Sequence, residues 1–266
     1  MNKPYSTAGF ERLERDIVGV RTVTYVAGSG PSVVYLHGGG TWHGFEFARD
    51  WLAQFRVVLP YHPGYGESAD APSISTVNEY VSYYQAFFDA LRLDSFHLVG
   101  ASFGGRLAAE FAVSHSDRLR SLVLVSPAGL KTPGVPDVNY AAIMHDEWPS
   151  YFATDLAFVR RFWPSDPDAE WLSARAREGQ ATGRALGNSA RDEPELRQDL
   201  QRIRVPTLLI WGKEDRMVPA AHAKTWQALI PESKVEIIER AGHLLLDESA
   251  PAREAVAQFM RDHEKQ

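Results

Sequence analysis

The chain has 266 residues, 44% apolar and 23% charged, which describes a globular protein long enough for one α/β domain with an insertion and short for two independent domains. A net charge of −6 with no basic stripe argues against nucleic acid or a membrane as partner, and zero cysteines exclude a thiol nucleophile, a disulfide framework and thiolate metal ligation. The opening stretch, Met1 to Thr7, lacks a secretory leader's apolar core and no run of about 18 apolar residues occurs, so a cytoplasmic protein acting on a small molecule is expected.

In chain order, residues 17–26 are β-branched and partly alternating, which predicts antiparallel edge strands turning around Gly19. Val33-Val34-Tyr35-Leu36 is uniformly apolar, the pattern of a strand buried on both faces of a parallel sheet, and His37-Gly38-Gly39-Gly40 follows at its C-terminal end. Consecutive glycines let bare backbone approach a ligand and turn N–H groups into a pocket. The pattern then gives a helix over 45–54, a strand over 55–59 and an irregular loop over 60–68, in which His62 reads as a loop-stabilising hydrogen-bonder. Apolar residues three and four apart predict a helix over about 76–92.

The apolar run 96–99 leads into Gly100-Ala101-Ser102-Phe103-Gly104 and then into a helix-compatible stretch, Arg106 to Ala112. A strand turning abruptly into a helix leaves no room for side chains beside the turn, so small residues two before and two after the tip are a steric requirement. Ser102 at that tip is exposed to substrate, and the helix N-terminus behind it favours negative charge.

A strand is expected over 121–126. From 131 to 203 no strand-like run appears, and aromatics including Tyr140, Trp148, Phe152, Phe162 and Trp163 are scattered among helix formers. This reads as a helical cap over the sheet edge, inserted between core segments 1–130 and 204–266, with Arg191 to Arg204 as a solvated helix face. The sheet resumes at 205–212, and Lys213-Glu214-Asp215-Arg216 lies just past it. A helix over 219–229, a strand over 234–239, a turn Ala241-Gly242-His243 and a closing amphipathic helix over 249–262 complete the chain. The β/α alternation implies a mostly parallel sheet with helices on both faces.

In such sheets the ligand site lies beyond the C-terminal ends of the strands, where the 37–40 loop, Ser102, Asp215 and His243 converge. A serine needs a neutral imidazole to accept its proton, and the imidazole needs a carboxylate to fix its tautomer. His243 is the best placed base and Asp215 the best placed acid. Glu214 is its neighbouring rival, and Asp247 reads as a first-turn helix-dipole partner. His37, His43 and His62 have no metal-ligand spacing, and no motif implies a cofactor.

Together, His37-Gly38-Gly39-Gly40, Gly100-Ala101-Ser102-Phe103-Gly104-Gly105, Gly212-Lys213-Glu214-Asp215 and Gly242-His243 resemble the α/β-hydrolase fold superfamily, in its order of serine, acid, histidine. The resemblance implies an α/β class fold with an eight-stranded sheet and helical cap, Ser102 as nucleophile, His243 as base then acid, and Asp215 as orienting acid. It implies oxyanion donors at the N–H of Phe103 and of Gly39, with Gly40 the rival. His37, more a brace for the loop than a proton shuttle, is expected beside substrate with Trp42, Trp148 and Phe152. Carboxylesterases and meta-cleavage-product hydrolases are both similar. Ala101 and Leu244 stand where the latter carry Asn and Trp, so an ester or related acyl compound is favoured over carbon–carbon cleavage or a lactone. A ligand receptor on the same fold is the reading of another class, and cap aromatics could support a homodimer.

Overall fold

The polar edge of the sheet is where pattern and pairing part company. Strand β1 (Glu11–Ile17) begins at Glu11, not at residue 17, and pairs antiparallel with β2 (Val20–Ala27) from Glu11↔Val26 to Ile17↔Val20. Most of β1 is exposed and charged, so no apolar alternation marks it; its partner makes it a strand, and its charges protect the open edge. These and the following features come from a computed structural model that describes residues 5–188 and 194–264. Met1 to Pro4 of the opening stretch and Arg191 to Glu193 of the charged stretch lie outside the described residues.

Strands β3 (Ser32–Leu36), β4 (Arg56–Pro60), β5 (Phe96–Ala101), β6 (Leu119–Val125), β7 (Thr207–Gly212) and β8 (Lys234–Ile238) complete an eight-stranded sheet. Its order is β1-β2-β4-β3-β5-β6-β7-β8, and it is parallel from β4 to β8. Alternation sends neighbouring residues of each strand to opposite faces. Val34, Leu36, Leu98 and Leu122 pack under α1 (Val77–Ala90) and α2 (Phe103–His115), while Val33, Val99, Val123 and Ile210 pack on the other side. The predicted helix at 45–54 is a 3₁₀ segment, Glu46–Trp51, pinned to this second face by buried Phe47 and Trp51.

Between β6 and β7 the described residues form a 3₁₀ turn (Tyr140–Ala142) and helices α3 (Trp148–Phe152), α4 (Leu156–Arg160), α5 (Ala169–Asn188) and α6 (Pro194–Leu200). Helix α6 is more than a solvated face, because Leu196, Leu200 and the following Ile203 are buried in the core. After β7 come α7 (Ala223–Leu229), then α8 (Leu245–Glu248), a single turn that the pattern did not announce, and α9 (Ala250–Asp262). Among the described residues no helix is long and apolar enough to cross a membrane.

Candidate active site

Ser102 sits between β5 and α2 at φ 52° and ψ −114°, backbone angles that a non-glycine residue holds only when its surroundings impose them. The surroundings are its own neighbours. Ser102 N–H donates to Val125 O at 2.9 Å, and Ser102 O accepts from Ala128 N at 3.0 Å and Arg106 N at 3.1 Å. A Cβ on Gly100 would collide with the Gly104 carbonyl and lie 2.7 Å from Ala108 Cβ, and one on Gly104 would strike the carbonyls of Leu36 and His37. The two small residues are therefore required by the close approach of β3, β5 and α2. The Ser102 hydroxyl does not cap α2; it faces a cavity of about 490 Å³.

His243 borders the same cavity, in the turn after β8, and its Nδ1 lies 2.8 Å from Asp215 Oδ2. Asp215 is buried, and its other oxygen accepts from the N–H groups of Met217 (2.9 Å) and Val218 (2.8 Å), so the carboxylate is fixed before it meets the imidazole. Glu214 is turned away and accepts from Ala241 N at 3.0 Å. The His243 turn is also fastened to the cap. Leu244 N–H donates to Phe152 O at 2.7 Å, and Glu248 accepts from Gly242 N and from Thr154 N (2.9 Å).

On the opposite wall, a Cβ on Gly38 would lie 3.3 Å from Ser102 Cβ, which places the glycine loop directly against the serine. Gly39, Gly40 and Phe103 all line the cavity. Phe103 opens α2 and has no intrahelical acceptor for its N–H, and among the described residues the N–H groups of Gly39 and Gly40 donate to no protein atom. Trp42, Trp148 and Phe152 line the cavity too, Trp148 and Phe152 with ring centroids 5.4 Å apart. His37 does not. It is fully buried behind the loop, where Nδ1 meets Gly38 O (2.7 Å) and Nε2 accepts from His62 N (3.0 Å). The expected substrate contact at His37 is thus replaced by a bracing one, shared with His62, whose Nε2 lies 2.8 Å from His37 O. Burial keeps both imidazoles neutral: it drives His37 well below the ordinary range, aided by His62, and pushes His62 down to about 3.

Two polar groupings escaped the sequence reading. Glu178 on α5 is buried and accepts from Thr41 N (3.1 Å) and Gly66 N (3.1 Å), tying the cap helix to two core loops. Beside it, Arg175 pairs with Glu178 at 2.8 Å, yet its Nε and Nη1 are buried without a well-aligned acceptor. Burial lowers the Arg175 pKa, and the guanidinium borders the cavity near Gly40. The second grouping is His43 Nδ1 and Asp247 Oδ1, 3.1 Å apart on the cavity wall; Asp247 therefore faces an imidazole, beyond the helix-dipole role expected of it. Both groupings join residues more than a hundred positions apart, which no local pattern reveals.

The family model for the alpha/beta hydrolase family matches residues 33–258. The dihydrolipoyllysine-residue acetyltransferase component of the acetoin cleaving system of Cupriavidus necator is 30% identical over 251 residues, covering 88% of this chain; the chain spans only 65% of that relative's length. The 2-hydroxy-6-oxo-6-phenylhexa-2,4-dienoate hydrolase of Burkholderia cepacia is 30% identical over 246 residues, covering 85% of this chain and 86% of the relative. Among solved structures, a bacterial membrane phospholipase A superposes with a TM-score of 0.84 at 22% identity, over 98% of this chain and 88% of that one, a likeness of fold. A strained serine at a strand-to-helix turn, a glycine loop of uncommitted N–H donors and a family match over residues 33–258, from β3 through the cap into α9, agree: the chain belongs to the α/β hydrolase family.

Proposed function

We propose that the protein is a serine hydrolase that cleaves a small carboxylic ester or related acyl compound through an acyl-enzyme on Ser102. The observation that carries this reading is the convergence on one cavity of a strained serine, a histidine already paired with a buried aspartate, and N–H groups without acceptors. Asp215 holds His243 in the Nδ1–H tautomer, which leaves Nε2 to take the Ser102 proton as Oγ attacks the carbonyl. The alkoxide is held by the N–H groups of Phe103 and Gly39, with Gly40 adjacent, each such donor contributing on the order of 10²–10³ in turnover. His243 then protonates the leaving group and activates water for deacylation. Mixing the protein with p-nitrophenyl butyrate should give a burst of nitrophenolate and, on rapid acid quench, an intact-mass adduct located on Ser102. Steady turnover with the adduct elsewhere would remove Ser102 from the role.

A second reading, carbon–carbon bond hydrolysis of a carboxylate-bearing diketone, is favoured by Arg175. Its poorly compensated guanidinium suits a substrate carboxylate, and the Burkholderia cepacia relative is named for a dienoate. Under this reading Arg175→Met lowers kcat/KM for a 2-hydroxy-6-oxo-dienoate by about 10²-fold, chiefly through KM, because the cation that attracts the substrate carboxylate is lost. Equal losses on the dienoate and on p-nitrophenyl butyrate would assign Arg175 to cap packing instead.

A further inference from the structure

Away from Ser102, the cavity wall carries polar groups that the proposed chemistry does not use: Tyr35, His43 and Asp247. His43 and the Asp247 side chain are more than nine-tenths buried. The carboxylate accepts, so His43 Nδ1 carries the hydrogen between them, and a ring holding that one hydrogen presents a lone pair on Nε2. Among the described residues that Nε2 has no partner, and the Tyr35 hydroxyl has none either. Burial and the nearby Asp247 charge keep the Tyr35 phenol protonated. The surrounding cavity wall is mostly aromatic and aliphatic, including Trp42, Leu245 and Leu246.

A group docking here meets one acceptor and one phenol. A carbonyl or carboxylate would set its lone pairs against that of Nε2, and an ammonium could not accept from Tyr35. A hydroxyl does both. We infer that His43, oriented by Asp247, and Tyr35 form a subsite for a hydroxyl group on the substrate, so that the natural acyl compound is hydroxylated at a point remote from the scissile carbonyl. The inference rests on the hydrolase reading for its substrate and adds the chemistry of the part that does not react.

The test compares matched esters: p-nitrophenyl hexanoate with 6-hydroxyhexanoate, and butyrate with 3-hydroxybutyrate. The wild-type protein is expected to favour at least one hydroxylated member by about tenfold or more in kcat/KM, expressed in KM, as for a site built to hydrogen-bond a substrate hydroxyl. His43→Phe should bring the ratio to about one. His43→Gln, which restores an acceptor, should recover part of it, and Asp247→Asn, which leaves the packing in place, should lower it. A pair that only ties the glycine loop to α8 would change stability without moving this ratio. Parity in the wild type, or a preference that survives His43→Phe, overturns the subsite. The hydrolase reading is tested separately. In Ser102→Ala protein, calorimetry with the methyl esters of both pairs should still show tighter binding of at least one hydroxylated ester, and equal binding in both pairs refutes the subsite whatever the turnover.

Discussion

Replacing Ser102 by alanine is expected to lower turnover of p-nitrophenyl butyrate by about 10⁴-fold or more, and Asp215→Asn to cost a comparable factor, since groups that act as a unit fail together. Ser102→Gly should be equally inactive but more stable than the alanine variant. At φ 52° and ψ −114° any side chain carries strain of about 1–3 kcal/mol, which glycine escapes. Glycine gives back about 1 kcal/mol through the greater freedom of its unfolded chain, leaving a net gain of roughly 1 kcal/mol. Urea denaturation of the two inactive variants isolates this difference, since neither retains the hydroxyl. A glycine variant less stable than the alanine one would show that the elbow stores no strain.

Acid should unfold the protein earlier than its carboxylates alone require. His37 and His62 are buried and neutral when folded, with His62 pushed down to about 3, whereas an unfolded histidine titrates near 6.5. Below about pH 6.5 the unfolded chain binds protons that the folded chain refuses. The stability contributed by the neutral His62 ring is therefore complete above that pH and falls by about 1.4 kcal/mol per pH unit as pH drops toward 3, and His37 acts in the same direction. Between pH 6.5 and 5 the loss from His62 is about 2 kcal/mol. Chemical denaturation at a series of pH values measures it, and His62→Gln should make the slope over this interval shallower by about 1.4 kcal/mol per pH unit. A flat profile would mean that the pair admits a proton without unfolding.

Local sterics made the elbow legible. Gly100 and Gly104 announce contacts that permit no Cβ, and apolar runs such as Val33 to Leu36 announce strands covered on both faces. Both Glu214 and Asp215 follow β7, and the shorter side chain favours Asp215 on such a turn; in the structure Asp215 faces His243 and Glu214 accepts from Ala241 N. Where tertiary pairing does the organising, the sequence is silent. Strand β1 has no pattern of its own, and Glu178 looks like one more charge on a polar helix until Thr41 and Gly66 donate to it. His37 shows the opposite failure. Adjacency to the glycine loop suggested a place beside substrate, but the small volume behind the loop takes the ring and its partner His62 instead, their centroids 3.7 Å apart.

The fastening of the cap to the turn that carries His243 bears on how molecules enter and leave. Phe152 and Thr154 are bonded to Leu244 and Glu248, and Glu248 also accepts from Gly242 N, so the cap is fastened to residues before and after the imidazole. Lifting α3 and its trailing residues would drag on that segment and move the imidazole that pairs with Asp215, so on the proposed function a gate at that end would interrupt the reaction each time it opened. Helix α5 presents a different border. Gly179, Gly183 and Gly187 line the cavity with no atom near where a Cβ would stand, and none of the bonds that secure His243 originates there. On the proposed function, a ligand passing along these glycines would leave the bonds around His243 in place, so one end of the cap holds the imidazole while the other leaves room beside the cavity.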